Sequence, residues 1–129
     1  MTTNESEKSA LIAELQEAGI KHTPEHIIRI ARQADGKIVF LETGDKQRGL
    51  EHILEKAEQF ANIGIERHDI IDAVILALTE GTIVGQQGTT NARPRPIYQF
   101  TFKGETKYLS VTVGSNGYIV GANPRTKVR

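Results

Sequence analysis

The sequence predicts an α+β fold in which N-terminal helices pack on one face of an antiparallel β-sheet, and three observations predict it. Before Gly81 most apolar residues recur at helical spacing. After Gly81 they alternate or run in strand-length blocks, and hairpin signals stand at Gly104-Glu105 and Ser115-Asn-Gly117. Helices first and strands afterwards place the helices on one face of the sheet and leave the other face free to be polar.

Taken in order, Leu11, Ile12, Leu15 and Ala18 have helical spacing after a polar lead, and Gly19 supplies a stop. Residues 1–22 thus read as a short helix or a partly ordered leader, and residues 23–129 as the main domain. Thr23-Pro-Glu-His26 reads as an N-cap, a proline at the first helical position and an acidic first turn, so a second helix is expected over Ile27, Ile28, Ile30 and Ala31. The compact apolar run Lys37-Ile-Val-Phe-Leu41, after the Asp35-Gly36 turn, reads as a buried strand. A third helix is expected from Arg48 to about Asn62-Ile-Gly64, with Leu50, Ile53, Leu54, Ala57 and Phe60 forming its apolar stripe. His68-Asp69 opens a fourth over Ile70, Ile71, Val74, Ile75 and Leu78, with a capping role expected for the pair.

Thr82-Ile-Val84 then begins the sheet, and residues 85–96 read as a loop with two Arg-Pro steps. In Ile97–Phe102 the aromatic side chains Tyr98, Phe100 and Phe102 alternate with Gln99 and Thr101. In Thr106–Val113 Leu109, Val111 and Val113 oppose Tyr108, Ser110 and Thr112, and Tyr118–Val120 forms the last strand. After Pro124 the chain reads as a loose basic tail.

At 129 residues and 38% hydrophobic content the chain suits one domain with a real core. There is no cysteine, so a disulfide framework, a thiol nucleophile and a thiolate metal site are all excluded. No apolar run has the length of a signal or membrane segment, so no membrane partner is expected. The net charge is zero but unevenly spread. Residues 1–80 hold nine Lys or Arg against fifteen Asp or Glu, whereas residues 81–129 hold seven against one, Glu105. The basic half can face phosphates, or it can simply attract the acidic half.

Chemistry-bearing residues crowd into Glu42-Thr-Gly-Asp-Lys-Gln-Arg-Gly-Leu-Glu-His-Ile-Leu54, where Asp45, Lys46, Arg48, Glu51 and His52 fall between a strand and a helix. His52 falls roughly opposite the apolar stripe, so it is either a catalytic acid/base or a solvated histidine among Glu55, Lys56 and Gln59. The glycines at 81–88 lack the order of a dinucleotide site and the Lys-Ser/Thr of a P-loop. No Gly-x-Ser-x-Gly elbow occurs. His22 and His26, the one i, i+4 histidine pair, straddle Pro24, so neither a metal site nor a cofactor is expected.

The elements Gly49-Leu-Glu-His-Ile53 after Glu42-Thr-Gly44, Gln59-Phe-Ala61, Gly64-Ile65 and Asn116-Gly-Tyr-Ile-Val-Gly-Ala-Asn-Pro124 resemble the toxin nucleases of bacterial polymorphic and contact-dependent growth inhibition systems. These are grouped with barnase, EndoU, RelE and related colicins as the BECR-type RNase fold, and the resemblance covers about residues 23–124. It implies metal-independent RNA cleavage, often of tRNA, with His52 as acid/base. It also implies a cognate immunity protein, sometimes a translation factor as helper, delivery at the C-terminus of a larger secreted protein and action in the cytoplasm of a target bacterium. Some relatives carry Ser or Thr where this chain has Gly121.

On this reading Lys46 and Arg48 hold the scissile phosphate, Glu51 or Asp45 orients His52 or acts as a second base, and Thr106, Lys107 and Tyr108 complete the site from the sheet. Asp45, Arg93, Arg95, Asn116, Arg125 and Lys127 are candidate substrate contacts, and Tyr98 and Tyr108 candidate base stackers beside their ordinary cross-strand packing role. A non-catalytic RNA- or protein-binding module using the same basic half is the alternative.

Overall fold

The computed structural model describes residues 5–87 and 95–125. Helix α1 (Glu5–Glu17) leads, through a 3₁₀ turn at Pro24–His26, into strands β1 (Ile27–Arg32) and β2 (Ile38–Glu42). Two short helices follow, α2 (Leu50–Leu54) and α3 (Ala57–Asn62), then α4 (Ile70–Glu80). The chain closes with β3 (Thr82–Gln87), β4 (Arg95–Phe102), β5 (Glu105–Val113) and β6 (Ile119–Arg125), an antiparallel sheet in that order. The fold class is α+β, as the sequence implies.

The expected helix after Thr23 is instead β1. It pairs antiparallel with β2, Ile30 opposite Phe40 and Ala31 opposite Val39. Its apolar residues do not alternate because the hairpin is buried on both faces. Ala31, Val39 and Leu41 belong to the main core, whereas Ile27, Ile30 and Phe40 pack with Leu11 and Leu15 of α1 in a second one. The Ile27–Ala31 run fits both templates, and three isoleucines favour the strand once a partner is present.

The main core lies between α2, α3 and α4 and one face of the four-stranded sheet. Ile53, Phe60, Ile70 and Val74 meet Phe100, Leu109 and Val111, each fully or almost fully buried. Each such side chain contributes about 1.5–3 kcal/mol by leaving water. Arg29 pairs with Asp72 at 3.0 Å and ties β1 to α4. Asp69, expected to cap α4, makes no side-chain cap; its carboxylate instead accepts a hydrogen bond from Lys103 Nζ at 2.9 Å.

The single helix expected from Arg48 to Asn62 is broken at Glu55 and Lys56. The Lys56 N–H reaches only three residues back, to Ile53 O at 3.0 Å, and Lys56 Nζ donates to Asn123 Oδ1. The break contains no proline or glycine and falls where Lys56 contacts β6. Of the loop expected at 85–96, residues 85–87 belong to β3 and 95–96 to β4, and residues 88–94 lie outside the described residues.

The second sheet face is not wholly polar, because Ile97 and Ser110 are buried on it. Arg125 is no tail residue: it ends β6 opposite Tyr108. No helix among the described residues is long and apolar enough to cross a membrane.

Burial, with Asp35 second, raises the Tyr98 pKa above its ordinary 10.0. Burial likewise raises that of Tyr118, where Glu42 and Asp45 add to the rise and Arg48 opposes it. The folded state therefore holds these phenol protons more tightly than the unfolded chain. Their contribution is fully present below pH 10.0 and is lost as pH climbs through the raised values. Chemical denaturation between pH 8 and 11 is expected to show stability falling above about pH 10, less steeply in Tyr98→Phe than in the wild type. Equal slopes would contradict this.

Candidate active site

The site begins with two glycines that let a loop close on itself. Asp45 Oδ1 accepts the N–H groups of Gln47 at 2.8 Å and Arg48 at 3.3 Å, and the Asp45 N–H donates to Arg48 O at 2.8 Å. This folds Gly44 onto Gly49. A Cβ on Gly44 would stand 2.0 Å from Arg48 O, and one on Gly49 2.8 Å from Gly44 Cα. Gly49 also has φ 84° and ψ −162°, a region open almost only to glycine. Its N–H donates to Val120 O at 2.9 Å, which latches the loop and α2 to β6.

The latch sets the place of His52. Its Nδ1 lies 2.8 Å from Lys46 O, and a carbonyl can only accept, so Nδ1 carries the proton and Nε2 offers its lone pair. Glu55 Oε1 stands 3.6 Å from the same Nδ1. The ring lies against Gly121, with Cδ2 at 3.2 Å and Nε2 at 3.5 Å from where a Cβ would be. A side chain there would press on the imidazole, so the bare Gly121 backbone is what the His52 ring rests against. The His52 side chain is 31% exposed, half-buried yet open to a ligand.

A second residue comes from the break between α2 and α3, where Lys56 sends its Nζ to Asn123 Oδ1 on β6. Asn123 is two residues beyond Gly121, about 6.6–6.8 Å along β6. Gly121, Asn123 and Arg125 pair with Thr112, Ser110 and Tyr108, and since opposed residues share a sheet face, all six lie on the face turned away from Leu109 and Val111. Arg125 has a buried Nε with no hydrogen-bond partner, and no carboxylate among the described residues pairs with it. This face thus carries Arg125 and Tyr108 about 13 Å along the strands from Gly121, with His52 reaching it at Gly121 and Lys56 at Asn123 between them.

The residues named from sequence separate into groups. Lys46 orients His52 through its backbone carbonyl, and its side chain is exposed. Arg48 is exposed on the opposite flank of the loop, beside a cleft that also holds Asn116. Asp45 clasps the loop, and Glu51 is exposed in the first turn of α2 with its N–H on Thr43 O. Glu55 is the carboxylate beside His52. Tyr108 lies on the outer face opposite Arg125, whereas Thr106 is six residues from Thr112, about 20 Å along the strand.

Lys107 points to the other face. Its Nζ donates to Ile63 O and pairs with Glu105 at 2.9 Å, tethering the end of α3 to β5 and holding the Glu105 carboxyl below its ordinary pKa. Arg95 is exposed at the start of β4, and Arg93 and Lys127 lie outside the described residues. Tyr98 is buried against the helices, away from the outer face. Lys56, Glu55 and Asn123 were not among the site residues named from the sequence, although Lys56 and Glu55 stand at i+4 and i+3 from His52 and Asn123 lies in the run 116–124. No known family model matches the chain, and none of the curated proteins matches it either.

Proposed function

We propose that this protein is a toxin endoribonuclease, most plainly a tRNA nuclease of the BECR type, that cleaves RNA by transphosphorylation. The observation that carries the proposal is the oriented His52 ring, its Nδ1 committed to Lys46 O and its Nε2 open above a face that also bears Lys56, Arg125 and Tyr108. In the proposed step Nε2 takes the proton of the ribose 2′-OH as the 2′-oxygen bonds to phosphorus. The P–O5′ bond breaks, and the leaving 5′-oxygen is protonated from solvent. Lys56 and Arg125 supply positive charge to the phosphate as negative charge builds on it.

The roles first assigned to Lys46, Arg48 and Glu51 shift accordingly. Lys46 acts as the orienter of His52, and Glu55 stabilises the imidazolium that forms after proton transfer. As a toxin the protein would act in the cytoplasm of a target bacterium, delivered by a larger secreted protein and neutralised in the producing cell by an immunity protein. An acidic inhibitor would suit the basic C-terminal half.

The test is the chemistry of the ends. Incubation with cellular tRNA in excess EDTA is expected to leave 2′,3′-cyclic phosphate or 3′-phosphate ends with 5′-hydroxyl partners, read by end-specific labelling. Cleavage that requires Mg²⁺ and leaves 5′-phosphates would refute the mechanism.

A further inference from the structure

Beside the loop that carries His52, and on its other flank, lies a cleft of about 490 Å³ lined by His22, Glu42, Arg48, Asn116, Tyr118 and Val120 among others. This is the size of a small-ligand site. Its walls carry unspent hydrogen-bonding capacity. The Thr23 N–H donates to Glu42 Oε2 at 2.9 Å, and the remaining lone pairs of this buried carboxylate can accept more.

His22 Nδ1 lies 2.7 Å from Ile20 O and so holds the proton, while its Nε2 has no partner and is closed off behind the cleft wall. Asn116 Oδ1 accepts the Tyr118 N–H at 3.1 Å, which leaves its amide nitrogen as the donor of that side chain. Arg48 adds a cation at the mouth.

The cleft is also close to the histidine, and a bulge makes it so. In β6, Ile119 pairs with Val113 and Gly121 with Thr112, so Val120 is an extra residue without a partner of its own. Val120 lines the cleft and Gly121 lies under His52. Consecutive Cα atoms are about 3.8 Å apart, so the two sites adjoin across a single residue.

We infer that the cleft is a nucleobase subsite next to the cleavage position, taking a base that turns an amino-bearing edge to Glu42 while Asn116 and Arg48 meet its acceptors. A carboxylate with lone pairs to spare calls for adjacent N–H donors, and an exocyclic amino group supplies them. Adenine, guanine and cytosine carry such a group; uracil does not, and is the poorest occupant. The inference rests on the ribonuclease reading for its place beside the scissile phosphate, but binding in the cleft can be measured without turnover.

Titration of the wild-type protein with the four nucleoside 3′-monophosphates, followed by NMR, is expected to shift His22, Asn116 and Tyr118. The three amino-bearing nucleotides should bind about tenfold or more tightly than the uridine nucleotide. Glu42→Gln should lose most of that preference. Because Glu42 also holds Thr23, Asn116→Ala in the exposed turn is the second variant, expected to weaken binding of the amino-bearing nucleotides several-fold while the protein remains folded.

Equal affinity for all four nucleotides, or shifts confined to Asn123 and Arg125, would overturn the assignment. Mononucleotides that fill the cleft of a protein unable to cut RNA would uphold the subsite and refute the ribonuclease. Cleavage with no preference for the base would do the reverse.

Discussion

Replacing His52 with alanine is expected to lower RNA cleavage by about 10²–10⁴-fold, the usual loss when a positioned acid/base is removed. Binding should survive, because Lys56 and Arg125 are untouched and the phosphate contacts of such a face do not depend on one imidazole. The fold should survive as well. The ring is 31% exposed and packs on a glycine, so its removal opens no closed cavity. The measurement pairs single-turnover cleavage of a labelled tRNA with its Kd at one fixed salt concentration. Undiminished cleavage would pass the chemistry to another group. A parallel loss of binding and cleavage would favour the non-catalytic RNA-binding module.

Gly49→Ala is expected to be strongly damaging for so small a substitution. The backbone there has φ 84° and ψ −162°, which costs a residue bearing Cβ about 1–3 kcal/mol. The added carbon would also stand 2.8 Å from Gly44 Cα and 2.9 Å from Glu42 O, backbone atoms that cannot swing aside. Together these are expected to cost roughly 3–4 kcal/mol. The relief available is to release the hydrogen bond from Gly49 to Val120, so cleavage should fall with stability. Gly36→Ala is the control, since it shares a positive φ, but its added carbon meets nothing within 4 Å. Urea denaturation that placed Gly49→Ala within about 1 kcal/mol of Gly36→Ala would show that the loop does not depend on the contact.

What the sequence made legible depends on where each signal resides. The stripe of α4 and the alternation of Tyr98, Phe100 and Phe102 are local, one face of each being buried, and both were readable. The β1 run has no such contrast. Only its pairing with β2, and the packing of α1 behind it, makes Ile27 to Ala31 a strand.

The site divides in the same way. His52 was recognisable as a polar residue opposite an apolar stripe, but Gly121 and Asn123 come beneath it only because α2 docks on β6 some 70 residues later in the chain. Strand alternation already put Lys107 and Tyr108 on opposite faces. Which of those faces the helices cover is a tertiary fact, and it assigned Lys107 to the packed side.

The division of β2 between two cores bears on how the molecule opens. Val39 and Leu41 belong to the larger cluster, so β2 amides should exchange with deuterium only through global unfolding. Helix α1 is attached differently. Its described core side chains are Leu11 and Leu15, worth together at most about 3–6 kcal/mol before the entropy of ordering the helix is subtracted. Its amides should therefore exchange through a local opening well below the global free energy. Ile20, which follows α1, supplies the carbonyl that fixes His22. A nucleotide seated against His22 should thus slow exchange along α1, a helix that need not touch it.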